Sequence, residues 1–123
     1  MAAALQLGSI VWVEIADANG IRKLRPAIIV TPTDRISNAG PLHVVAITSR
    51  LTEPLPADHI LLPWHPQGHP RTGLNRRSAA VCTWIAQIQA ADVRDIAGIT
   101  PGPVLVEILR RVAAAGPPSK PAI

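Results

Sequence analysis

Arg25-Pro26-Ala27-Ile28-Ile29-Val30-Thr31 is the stretch whose reading decides the fold. Pro26 heads it, where a strand begins and a missing N–H costs least. The apolar run behind it is unbroken and rich in β-branched residues, so it reads as a buried central strand. Arg25 then stands at the rim of a core. Two readings are open for it. It solvates a strand end, or a rigid strand aims its guanidinium at an anion, for which a planar fork of donors is suited.

Upstream, Ile10-Val11-Trp12-Val13-Glu14-Ile15 alternates, with Val11, Val13 and Ile15 on one face and Trp12 and Glu14 on the other. The Asn19-Gly20 pair predicts a hairpin that returns through Ile21-Arg22-Lys23-Leu24 into the second strand. Downstream, Thr31 to Pro41 is a connection with room for one helical turn. Leu42 to Arg50 is a third strand, whose period of two sends Leu42, Val44, Ala46, Thr48 and Arg50 the same way. His59 to Pro63 is a short strand between prolines, hence expected at an edge. A long loop, Trp64 to Arg77, separates it from the strand Ser78 to Ala86. Asp92 to Asp95 reads as a turn or helical piece, and Ile96 to Ile99 as a last strand. A closing helix follows, with Thr100 as its cap, Pro101 in its first position, and Val104, Leu105, Ile108, Leu109 and Val112 as its apolar stripe. Gly116-Pro117-Pro118 stops it. The expectation is one domain over residues 1–115 with a flexible tail over 116–123.

A chain of 123 residues, 48% of them hydrophobic, is long enough to bury a core without staples. Its single cysteine, Cys82, forms no intramolecular disulfide and has no basic partner in sequence, so it reads as a small core residue. Met1 to Gln6 lacks the basic start and apolar stretch of a signal peptide, and no run of about 18 apolar residues occurs. A cytoplasmic protein with no membrane partner is expected. The formal charge is +4, and the surplus is local. Arg22, Lys23, Arg25, Arg35, Arg50, Arg71, Arg76 and Arg77 face only Asp34, Glu53 and Asp58 over that span. Such a patch suits RNA, DNA or an acidic protein segment. With no Tyr or Phe and three Trp, a stacking platform of the RRM type is not expected.

Phosphate-binding glycine loops, Cys-x-x-Cys and H-E-x-x-H are missing. His65 and His69 are four apart, but Pro66 and Gly68 break any helix that would bring them to one face, so no metal and no cofactor is expected. The same histidines have a second use as proton-transfer groups, beside a plainer one as polar loop side chains. Cleaving RNA without a metal needs a base for the 2′-hydroxyl, a cation for the phosphorane and a donor for the leaving oxygen. Arg25 suits the second and third tasks, Thr48 suits a hydrogen bond to a non-bridging oxygen, and His65 or His69 suits the first.

Taken in order, Gly8-x-Ile10-Val11-Trp12-Val13, Arg25-Pro26-Ala27-Ile28-Ile29-Val30-Thr31-Pro32, Val44-Val45-Ala46-Ile47-Thr48-Ser49, Gly73-Leu74 with Ser78-x-x-Val81, Ile96-Ala97-Gly98-Ile99 and the closing helix resemble the MazF/PemK toxins of bacterial toxin–antitoxin systems. The resemblance covers about residues 8 to 112. It implies a mainly β fold, a small SH3-like β-barrel with a C-terminal helix, usually a homodimer. It also implies a metal-independent, sequence-specific endoribonuclease that cuts single-stranded RNA to a 2′,3′-cyclic phosphate and a 5′-hydroxyl, and that a cognate acidic antitoxin inhibits. The family's R-P arginine maps to Arg25 and its strand-end threonine to Thr48. Arg22, Lys23, Arg50 and Arg71 are then expected to hold the RNA backbone, and the Trp64–Arg77 loop with His65 and His69 to read bases. Two departures stand out. Many members carry a Glu or another acid–base residue in the loop before Arg25, where this chain has no carboxylate after Asp17. Some carry an acid where this chain has Trp84. The base is therefore open among His65, His69 and Asp17, or is dispensed with. A barrel that binds nucleic acid or an acidic partner without cleaving is the alternative.

Overall fold

Asn19-Gly20 sets the register from which the sheet grows. In the computed structural model, which describes residues 4–37 and 40–115, β1 (Ser9–Ala16) and β2 (Arg22–Ile29) form a hairpin running from Ala16↔Arg22 to Ile10↔Ile28. Gly20 supplies the positive φ of +82° that such a tight return needs. β3 (Pro41–Thr48), β4 (His59–Leu62), β5 (Ser78–Gln89) and β6 (Asp95–Ile99) complete one antiparallel sheet in the order β4-β5-β3-β2-β1-β6. The fold is mainly β and barrel-like, though the sheet does not close. β4 and β6 are its two edges, as the prolines around β4 predict.

Burial on both faces explains the unbroken apolar run. Ile10, Ile28, Val45 and Ile47 form a core on one side, while Val11, Val13, Ala27, Ile29, Val44 and Ala46 form one on the other. Each such large aliphatic side chain contributes about 1.5–3 kcal/mol by leaving water. The helix α1 (Gly102–Ala115) lays Val104, Leu105, Ile108 and Val112 on the first side. Leu5, Ile36, Trp84, Val93 and Ile96 pack against the second.

Several boundaries depart from expectation, β3 among them, which ends at Thr48 rather than Arg50. β2 begins at Arg22, well before Pro26, because the hairpin ladder extends through the basic arm. Pro26 is tolerated inside the strand because the ladder to β3 begins only at Ala27. β5 runs on to Gln89, and the short 3₁₀ turn after it is Ala90–Asp92 rather than Asp92 to Asp95. Thr100 does not cap α1. Its buried hydroxyl donates to the Gly8 carbonyl at 2.9 Å, and the Pro101 carbonyl takes the first helical bond, from Leu105. The helical turn expected in the second connection is a 3₁₀ turn at Thr33–Arg35. The helix stop at Gly116 and the tail from 116 to 123 lie outside the described residues.

Candidate functional site

β2 and β3 bring Arg25 and Thr48 to one place. Ala27 pairs with Ala46 and Ile28 with Val45, and Arg25 and Thr48 each lie two residues beyond the first of these pairs. Both line a cavity of about 500 Å³ together with Trp12, Ile47, Arg50, Asn75 and Arg76. Its lining holds three arginines and no carboxylate, so its field favours an anion. Thr48 Oγ1 accepts the Arg50 backbone N–H at 3.1 Å, which leaves the hydroxyl proton free to donate into the cavity.

The Arg25 guanidinium is held from several directions. Nε donates to the Ile15 carbonyl at 3.2 Å, Nη2 lies 3.6 Å from Asp17 Oδ2, and Cζ sits 5.0 Å from the centre of the Trp84 ring. Asp17 is itself fixed by the hairpin, since its Oδ1 accepts the amides of Asn19 at 2.9 Å and Ile21 at 3.0 Å. The Ile21 amide above all, then the Asn19 amide and the charges of Arg25 and Lys23, hold its carboxyl below the usual Asp range. A second hollow of about 600 Å³ opens beside this pair, lined by Ala16, Asp17, Ala18, Asn19, Thr83 and Trp84.

The long loop after β4 is tied down along its length. Thr72 is fully buried, donates to the Pro63 carbonyl at 2.8 Å and accepts from Leu74 N–H at 3.1 Å. Leu74 enters the core on the helix side. Gly73 has φ +73°, and a Cβ there would run into the Ala97 carbonyl of β6, so only glycine lets the loop press so close. Its far end, Gly73 to Arg76, thereby becomes a wall of the arginine-lined cavity.

His65, His69 and Arg71 belong to the near part of the loop and do not line that cavity. His65 Nδ1 accepts the Gln67 amide at 3.1 Å, and His69 Nδ1 accepts the Arg71 amide at 3.1 Å. Those bonds engage Nδ1 of each ring and leave Nε2 outside them. Arg22 and Lys23 stand exposed on β2, Arg22 beside Glu14 at 3.7 Å. Arg50 lines the cavity as a strand-end neighbour of Thr48. Asn75, Arg76 and Trp84 were not singled out by sequence as site residues; the local signal for the first two is the basic Asn75-Arg76-Arg77 run that ends the loop.

Elsewhere, Asp58 binds His59 Nδ1 at 2.8 Å and the Thr83 hydroxyl, which with His59 pulls its carboxyl below the usual range. Cys82 is 1% exposed, and burial pushes its thiol up, as befits a core residue. Among the described residues no three of His, Cys, Asp and Glu come together to hold a metal ion, and no helix is long and apolar enough to cross a membrane.

Fold and site together define a small barrel-like β protein built around a cavity lined by arginines. Residues 6–115 match the PemK-like, MazF-like toxins of type II toxin-antitoxin systems, and the chain belongs to that family. Similar solved structures include MazF from Deinococcus radiodurans, at 18% identity over 93% of this chain and 97% of that one, TM-score 0.70. A MazE–MazF complex from the same organism has 17% identity, 93% and 96% coverage and TM-score 0.70. An endoribonuclease in complex with its cognate antitoxin, from a mycobacterial species, has 18% identity, 91% and 94% coverage and TM-score 0.64. At these identities the likeness is one of fold. No curated protein matches the sequence.

Proposed function

We propose that this toxin is a cytoplasmic, metal-independent, sequence-specific endoribonuclease acting on single-stranded RNA. The observation that carries the reading is the cavity in which Arg25 and Thr48 meet with Arg50 and Arg76 and no carboxylate. A phosphodiester bound there has the Arg25 guanidinium to stabilise the phosphorane and the Thr48 hydroxyl to donate to a non-bridging oxygen. Asp17 is the candidate base in contact with Arg25, and its lowered pKa keeps it ionised near neutrality. It takes the 2′-hydroxyl proton as the 2′-oxygen attacks phosphorus. The bond from phosphorus to the 5′-oxygen breaks, and that oxygen, hydrogen-bonded to Arg25, takes its proton from water. The products are a 2′,3′-cyclic phosphate and a 5′-hydroxyl.

Arg50 and Arg76 hold the flanking backbone, with Arg22 and Lys23 on the hairpin and Arg71 on the loop as outer contacts. His65 and His69 serve as donors to RNA. The same basic surface suits an acidic antitoxin segment, and family membership supports such a partner. The active unit is a homodimer of one domain over residues 1–115, testable by light scattering and by a single thermal transition.

The decisive experiment incubates purified protein with single-stranded RNA in EDTA. Cleavage by the wild type and none by Arg25→Ala is expected. Equal cleavage by both discards the site, and tight binding without product at long times turns the reading to a non-catalytic RNA-binding barrel.

A further inference from the structure

Trp84 is the large side chain against Arg25 to which the chemistry above gives no task. Its position follows from an irregularity in the sheet. Between Val45 and Ile47, β3 advances two residues, while the matching stretch of β5 runs five, from Ile85 to Ala80. The surplus on β5 forms a bulge, and bulges re-aim side chains out of the regular ladder. Here the displaced stretch includes Trp84, which reaches past β3 to β2 and lies against Arg25.

An arginine has many rotamers and loses much freedom when one is imposed. This one is constrained by the indole, by the Ile15 carbonyl on Nε and by Asp17 near Nη2. Its side chain is 20% exposed, so the stack is partly shielded from water, where cation–π attraction is stronger than at an open surface. Thr83, next to Trp84, donates to Asp58, and Cys82 N–H donates to the Asp58 carbonyl at 2.8 Å. Those bonds give the bulge a fixed backing.

We propose that Trp84 is a positioning residue for RNA cleavage. Its ring face, with Asp17, holds the Arg25 guanidinium in the orientation that meets the scissile phosphate. The proposal rests on the ribonuclease reading above.

Two variants separate positioning from packing. Trp84→Phe keeps a ring face and Trp84→Leu keeps only apolar bulk. Steady-state cleavage of a single-stranded RNA is expected to show kcat reduced about tenfold in Trp84→Leu with KM within about threefold, and Trp84→Phe within about threefold of wild type in both. Arginine Nε–H resonances in ¹⁵N-correlated spectra are read on the same proteins. The Arg25 signal, assigned by its loss in Arg25→Ala, is expected to carry a ring-current displacement in wild type and Trp84→Phe that disappears in Trp84→Leu. Wild-type kcat in a folded Trp84→Leu, or equal loss in both variants, overturns the positioning role. An unmoved Arg25 signal in Trp84→Leu overturns the stack itself. A wild type that cleaves no RNA overturns the role together with the ribonuclease reading, and a displacement still lost in Trp84→Leu then shows that the stack is real and the function reading was at fault.

Discussion

Two hollows flank Arg25, and they are opposite in character. The one toward Thr48 is lined by Arg25, Arg50 and Arg76 and by no carboxylate. The one toward the hairpin turn is lined by Asp17 and Trp84 and by no cation. A phosphate gains attraction in the first and meets a carboxylate in the second. The first therefore favours an anion, and the second sets a carboxylate beside an aromatic wall. Arg25 lines the first and touches two walls of the second, Asp17 and Trp84, from outside it.

The largest expected effect comes from removing Arg25 itself. Arg25→Ala should lower kcat about a thousandfold, with the fold intact by circular dichroism. A smaller loss would mean that Arg50 and Arg76 carry the phosphorane, and that the two hollows do not divide at Arg25.

Asp17→Asn should cost about a hundredfold in kcat, the low end of what general-base removal does. The pH profile tests the same assignment. Because its pKa lies below the usual Asp range, Asp17 stays ionised down to mildly acid pH, so kcat/KM should be level from about pH 5 to 7. A base among the histidines would instead make the rate fall below about pH 6.5. Stability carries a matching sign. A folded-state pKa below the unfolded one means that Asp17 stabilises the protein above the ordinary Asp pKa, and that this contribution is lost as pH falls through the lowered value. Thermal melts across acid pH should show a shallower acid limb in Asp17→Asn.

Arg50→Ala and Arg76→Ala, on the anion side, should each raise KM by about three- to tenfold, leave kcat near wild type and flatten the salt dependence of RNA binding by about one charge. Binding titrations at several salt concentrations read this directly. An unchanged slope would place both side chains in solvent rather than on phosphate.

His65→Ala and His69→Ala should have the smallest effect, within about twofold on kcat, since neither ring borders either hollow and each Nδ1 is already taken by a backbone amide. A hundredfold loss in either would move the base into the loop.

Much of the fold was legible because burial leaves a period in the chain. The alternation of Val11, Val13 and Ile15, the run Ala27 to Val30 and the stripe Val104, Leu105, Ile108 and Val112 each announce their faces. Arg25 and Thr48 were legible as strand-end polar residues in a familiar order of motifs. Trp84 was not legible as a neighbour of Arg25, because a register shift of β5 against β3 leaves no periodic trace. Which ring nitrogen of His65 and His69 the loop's own amides occupy was not legible either, because it depends on the loop's conformation rather than on spacing.

The sequence by itself determined which segments become strands and which faces they bury, since these follow from local periodicity, turn chemistry and the free energy of leaving water. Tertiary structure alone decided that Asp17, Trp84 and Arg25 converge and that Arg76 joins Thr48 at one cavity. Sheet order, a bulge and a glycine pressed against β6 bring Trp84 to Arg25 and Arg76 to Thr48 across tens of positions in the chain.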